Sequence, residues 1–146
     1  MRAETPRVTL PSSPAAAAPA QAERSALVVE DDQDVQLLLQ AHLRQLGWSV
    51  QLVSSGEEAL AVAAARTPDL VVVDILLPGI GGWDVVRGLR LDPATRGCTV
   101  VVTSVLDGAD LEELAVDAVL PKPFSRSDVR RVLGSVPALA AGAARS

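Results

Sequence analysis

The apolar residues change period several times along the chain. Residues 26–29 form a short apolar run, after which Val35, Leu38, Leu39, Leu43 and Leu46 recur at helical spacing as far as Gly47, a natural C-terminal stop. Residues 49–53 read as a second strand. Ser55 with Glu58 three residues on gives a capping-box pattern for a helix running to residue 65. Residues 70–73 are continuously apolar, as expected of a parallel strand covered on both faces. The pattern then predicts a helix over 83–91, a strand over 99–102, a short helix over 110–115, a fifth strand over 118–120 and a last helix opened by Ser125 and Asp128. Five β-α units imply an α/β fold, a doubly wound (βα)5 domain on a five-stranded parallel sheet with right-handed crossovers.

The chain of 146 residues suffices for one core of ordinary size, and residues 25–136 are expected to form it. Residues 1–24 break the pattern, with Pro6, Pro11, Pro14 and Pro19 scattered through an alanine-rich stretch. Such a segment buries too little surface to offset its ordering entropy and is expected to be a disordered tail. Residues 137–146, again alanine-rich, are expected to be a flexible C-terminal tail. A net charge of −5 argues against direct nucleic-acid binding. No apolar run approaches membrane-spanning length, and prolines interrupt the stretch where a signal peptide would need an apolar core, so a cytoplasmic protein without a membrane partner is expected. The single Cys98 permits no internal disulfide and no metal-ligand spacing; it reads as a small core or strand-edge residue.

Ligands of a doubly wound sheet bind outside the carboxyl ends of its strands, which makes the residues there the ones to inspect. Glu30, Asp31 and Asp32 follow the first strand, Asp74 the third, Thr103 and Ser104 the fourth, and Lys122 the fifth. Lys122 is the only lysine in the chain, held between Pro121 and Pro123 where the backbone is stiff. Its ammonium is a compact point charge that reaches a carboxylate or phosphoryl oxygen without the planar fork of Arg. Two carboxylates about 4 Å apart repel by roughly 4 kcal/mol at an effective dielectric of about 20, so the clustered acids need a cation. Mg2+ suits hard oxygen ligands supplied by one or two carboxylates and a phosphate. A metal, a lysine and a hydroxyl around one carboxylate make a site for phosphoryl transfer, with Asp74 as candidate nucleophile. Each residue alone has a plainer reading: acids favouring a helix N-terminus, a surface lysine in a proline turn, a strand-end hydroxyl bonded to its own backbone.

Taken together, Val28-Val29-Glu30-Asp31-Asp32, the run from Val71-Val72-Val73-Asp74 through Ile75-Leu76-Leu77-Pro78-Gly79, Val101-Val102-Thr103-Ser104 and Pro121-Lys122-Pro123-Phe124 resemble, in order and spacing, the receiver domain of bacterial response regulators in two-component signalling. The resemblance covers residues 25–136 and implies a flavodoxin-like fold. It assigns Asp74 as phosphoacceptor, and Glu30, Asp31, Asp74 and the Leu76 backbone carbonyl as ligands of Mg2+. Thr103 would bond a phosphoryl oxygen and Lys122 would ion-pair with it, while Asp32 lies just outside the acidic pair. Two departures stand out. The family usually places an aromatic switch residue three positions before the lysine, where this chain has Val119; and the stretch from Thr103 to Lys122 is about one helical turn short, with Val116-Asp117 in place of the usual Gly-Ala.

His42 lies among apolar-face positions of its helix and reads as a core or boundary histidine, and Trp48 and Trp83 as packing anchors. Gly79, Gly81 and Gly82 form a turn without the strand-to-helix context of a nucleotide fingerprint. The expected function is therefore that of a phosphorylation switch or relay, a regulator rather than an enzyme. Its partner would be a histidine kinase or histidine phosphotransfer protein. With no room for an appended output domain, signalling is expected to pass through protein contact, homodimerisation or relay. The competing class is a phosphorylation-independent scaffold of receiver fold, binding a partner through the altered segment 107–119.

Overall fold

The apolar runs become parallel strands and the periodic segments become the helices that cover them. The computed structural model describes residues 24–105 and 115–139. In chain order these form β1 (Arg24–Val29), α1 (Gln33–Gln45), β2 (Trp48–Val53), α2 (Gly56–Ala65), β3 (Leu70–Asp74), α3 (Gly82–Leu91), β4 (Thr99–Ser104), β5 (Ala118–Pro121) and α4 (Arg126–Gly134). The strands pair in parallel in the order β2-β1-β3-β4-β5. Winding therefore reverses between β1 and β3, and the carboxyl edge at such a reversal is where open α/β sheets bind their ligands.

Local chemistry fixes the helix ends. Asp32 caps α1 by accepting from the Asp34 and Val35 N–H groups; Ser55 caps α2 by accepting from the Glu58 N–H, but the Glu58 carboxylate accepts from the Ser54 N–H rather than closing the expected box; and Ser125 and Asp128 form a reciprocal box at α4. Gly47, at φ 95°, takes the left-handed conformation after α1 and returns its N–H to the Arg44 carbonyl.

Two layers of core flank the sheet. Odd-numbered residues of β1 and β3, such as Leu27, Val29, Val71 and Val73, pack with Ala59, Ala63, Val85 and Leu89 of α2 and α3. Even-numbered ones, Ala26, Val28, Leu70 and Val72, pack with Leu39, Leu43, Val129 and Val132 of α1 and α4. The alternation is the pleat of the strand, and a run buried on both faces must be apolar at every position.

The structure adjusts several expected boundaries. Asp74, Thr103 and Ser104 are the last residues of their strands rather than the first residues beyond, because the ladder pairs Asp74 with Thr103. β1 starts at Arg24, whose guanidinium lies 4.3 Å from the centre of the Trp48 ring across the β1–β2 pair. Packing also extends past the expected limit at 136, since Leu139 is buried in the α1/α4 layer. Apart from Ala115, the helix expected over 110–115 lies outside the described residues. Cys98 is buried at the entry to β4, His42 is half-buried on α1, and burial and the Arg126 charge hold its imidazole below the ordinary value.

Candidate functional site

Strand parity delivers the polar residues to one side of the sheet. Glu30 continues the even series of β1, Asp74 ends that of β3, Thr103 follows Val101 in β4, and Lys122 follows Ala118 and Leu120 beyond β5. Two backbone bonds carry the pairing one residue past the strands: Glu30 N–H donates to the Val53 carbonyl at 3.1 Å, and Lys122 N–H to the Ser104 carbonyl at 2.9 Å. Pro121 and Pro123 flank the lysine, and the Lys122–Pro123 peptide bond is cis.

The ammonium of Lys122 sits between two buried carboxylates, 3.1 Å from Glu30 Oε1 and 3.2 Å from Asp74 Oδ2. The other Glu30 oxygen accepts from the Asp32 N–H at 3.1 Å, and the other Asp74 oxygen from the Leu76 N–H at 3.0 Å. Both carboxylates are thus held at both ends. Burial is the main force raising the Glu30 carboxyl above its ordinary range; the Asp32 N–H works against it, the Asp74 charge reinforces it, and Lys122 opposes it. For Lys122 itself burial pulls downward, but the hydrogen bonds and charges of Glu30 and Asp74 together leave the ammonium above its usual value.

Thr103 shares a register position with Asp74, and its carbonyl accepts from the Ile75 N–H at 3.1 Å. Its hydroxyl is buried and has no hydrogen-bond partner among the described residues. A buried hydroxyl left unpaired costs about 1–3 kcal/mol, so this group is a donor in want of an acceptor. Asp31 is exposed, and its carboxylate makes no bond or ion pair among the described residues. Leu76 turns its side chain to solvent at 57% exposure beside the Asp74 carboxylate that its N–H binds.

Two residues shape the site without having been singled out in the sequence for it. Gly82 opens α3 hard against the end of β3: a Cβ there would meet the Asp74 carbonyl oxygen and lie 2.6 Å from the Ile75 Cα. Gln36, in the second turn of α1, donates its carboxamide to the carbonyls of Glu30 at 2.7 Å and Val53 at 3.1 Å. The sequence carries little signal for Gln36, since Gln33 and Gln40 stand at helical spacing from it just as Leu39 and Leu43 do.

Glu30, Asp31 and Asp74 each offer an oxygen, all within 4.8 Å of one another. Three hard oxygen donors against one ammonium leave an excess of negative charge, and with the unpartnered Thr103 donor alongside, the residues fit a small divalent cation together with an anionic ligand. The structure brings together every sequence-predicted side chain of the site, Glu30, Asp31, Asp74, Thr103 and Lys122. Val119 lies elsewhere, half-buried against the α2/α3 layer. No described helix is long and apolar enough to cross a membrane.

Residues 26–133 match the family model of the response regulator receiver domain. Among curated proteins the chain is similar to the response regulator PleD of Caulobacter vibrioides, 40% identical over 82 residues that make up 56% of this chain and 18% of that protein. It is also similar to the alkaline phosphatase synthesis transcriptional regulatory protein PhoP of Bacillus subtilis, at 35% over 105 residues, 70% of this chain and 44% of PhoP. The chain spans less than half the length of these relatives. Among solved structures, a putative response regulator from Chloroflexus aurantiacus matches with TM-score 0.72 and 32% identity, covering 80% of this chain and 98% of that one. The receiver domain of a sensor histidine kinase from Pseudomonas aeruginosa, with a magnesium ion coordinated in its active-site cleft, matches with TM-score 0.72 and 28% identity over 79% and 98%. The chain belongs to the response regulator receiver domain family, whose general function is to accept a phosphoryl group in two-component signalling.

Proposed function

We propose that this chain accepts a phosphoryl group on Asp74 from the phosphohistidine of a histidine kinase or phosphotransfer protein, in the presence of Mg2+, and acts as a switch or relay. Glu30, Asp31, Asp74 and the Leu76 carbonyl would hold the metal, which when bound supplies a Lewis acid that neutralises charge on the transferring oxygens. The chain's own residues account for the rest. Leu76 N–H and Lys122 orient the Asp74 carboxylate, one oxygen of which forms the new bond to phosphorus as the donor's nitrogen–phosphorus bond breaks. The Thr103 hydroxyl donates to a phosphoryl oxygen, and Lys122 pairs with the added charge.

The buried, unpartnered Thr103 hydroxyl, in register with Asp74, is the observation that carries this reading. The lysine–carboxylate triad alone is a self-satisfied cluster; the Thr103 hydroxyl has no partner among the described residues and would donate to an oxygen of a phosphoryl group on Asp74. The test is incubation with Mg2+ and a small acyl phosphate, followed by intact mass. Wild type is expected to gain one phosphoryl group, Asp74→Ala none, and Thr103→Val to gain it more slowly. Folded wild-type protein that gains no phosphoryl mass defeats the reading, and equal labelling of Asp74→Ala reassigns the acceptor.

A further inference from the structure

Of the three acids, two are held directly by their side chains. Glu30 is bound by Lys122 and the Asp32 N–H, and Asp74 by Lys122 and the Leu76 N–H. Asp31 has no such tether among the described residues, so its carboxylate is aimed by the backbone alone. The peptide unit that sets that aim joins Glu30 to Asp31, one residue beyond the last residue of β1.

The carboxamide of Gln36 holds this unit. Its nitrogen lies 2.7 Å from the Glu30 carbonyl oxygen and 3.1 Å from that of Val53, which also accepts the Glu30 N–H. Both neighbours are acceptors, so only the NH2 end of the amide serves, one hydrogen to each. Because the peptide group is planar, fixing the Glu30 oxygen fixes the Asp31 N–H and Cα with it. Gln36 also ties this unit to α1 and to the end of β2, the two elements that border it.

We propose that Gln36 is a positioning residue that aims the Asp31 carboxylate at the metal by holding the Glu30–Asp31 peptide plane. The proposal rests on the Mg2+ reading above and adds to it a partner outside the ligand set. Such outer partners commonly govern metal affinity by about 10–100-fold, and one acting through backbone belongs at the lower end.

The experiment titrates Mg2+ alone into the full chain by calorimetry and records the Asp31 amide resonance in metal-free protein. Gln36→Met removes the donors at nearly constant length and helix propensity and is expected to weaken Mg2+ binding roughly tenfold and to shift the Asp31 amide. Gln36→Arg restores two donors and is expected to return affinity toward wild type. Thr95→Val, which deletes a buried 2.7 Å bond to the Leu89 carbonyl at the far end of α3, controls for general loosening. Should Gln36→Met not fold, Gln36→Ala serves the same comparison without placing apolar bulk beside the carbonyls. Wild-type affinity in Gln36→Met or Gln36→Ala overturns the proposal, as does equal weakening in Thr95→Val. If wild type itself binds no Mg2+, the functional reading fails, and this proposal with it.

Discussion

Lys122→Met keeps a side chain of similar length and removes only the ammonium. In the wild type that ammonium bonds Glu30 and Asp74 at 3.1 and 3.2 Å, and their carboxylates are 1% and 7% exposed. Without it, the two acids are left buried with oxygens no more than 4.8 Å apart. At an effective dielectric of about 20, two full charges at that separation repel by about 3.5 kcal/mol. Removing one partner of a buried ion pair generally costs about 3–5 kcal/mol, which agrees. Mg2+-free protein at neutral pH is therefore expected to lose about 3 kcal/mol of stability, and saturating Mg2+ to return much of it.

The loss should depend on pH, and the sign follows from Glu30. Its folded carboxyl is already raised above the ordinary 4.5, chiefly by burial, so the folded state binds more protons and stability declines as pH rises through the window between the two values. Lys122 is one of the influences that lower it; deleting the ammonium raises it further and extends the window upward. The deficit of the variant is thus small below pH 4.5 and grows toward neutrality. Lys122 itself, raised in the folded state, contributes fully below its unfolded value of 10.5 and adds no slope in this range. Urea unfolding in EDTA, followed by Trp48 and Trp83 fluorescence at acidic and at neutral pH, measures the deficit; at a slope of about 1.5 kcal/mol per molar, the neutral midpoint should fall by about 2 M. A variant as stable as wild type at neutral pH, or a deficit that persists undiminished in acid, refutes the account of a lysine holding two repelling carboxylates.

Gly82→Ala drives a methyl group onto the Asp74 carbonyl and is expected to destabilise by about 1–3 kcal/mol in urea melts and to slow phosphoryl uptake, where Gly97→Ala, with open space around it, does neither. Leu76→Asn replaces the exposed apolar side chain beside Asp74 with one that can position water, and is expected to speed loss of phosphate in a mass-spectrometric time course; an unchanged rate refutes the reading that an apolar Leu76 shields a phosphoryl group on Asp74 from water. Arg90→Met removes bonds to the carbonyls of Ala115, Arg96 and Cys98 and to the Asp117 carboxylate, and should lower stability by roughly 2 kcal/mol by thermal or urea unfolding.

The fold was legible because burial on both faces leaves a parallel strand no choice but continuous apolar residues, as Leu70 to Val73 display, and because capping is local chemistry, as at Ser55 and Ser125. Strand ends were read one or two residues short at Asp74 and Ser104, since a polar residue at a sheet edge can still pair its backbone. The site side chains were legible because the topology brings strand ends together and few residue types suit a clustered negative charge. Gln36 and Gly82 were not, since one acts through a carbonyl and the other through the side chain it lacks. The link of Arg90 to Asp117 likewise joins residues whose proximity only the assembled sheet reveals.

Strand parity also separates the site from Val119. Thr103 pairs with Leu120 and Val102 with Val119, so the position three before Lys122 points into the opposite layer, where Val119 packs against the α2/α3 cluster. Its identity therefore changes nothing in the contacts among Glu30, Asp74 and Lys122. A β-branched valine is stiff at χ1 and has no polar tip to exchange partners, so a change at Thr103 or Lys122 reaches this layer through the paired backbones of β4 and β5. The Lys122 N–H on the Ser104 carbonyl is the nearest such coupling, adjoining the site on one side and β5 on the other. The proposed phosphoryl chemistry and its readout are thus physically separable: Glu30, Asp74, Thr103 and Lys122 share the α1/α4 side of the sheet, whereas Val119 packs on the α2/α3 side.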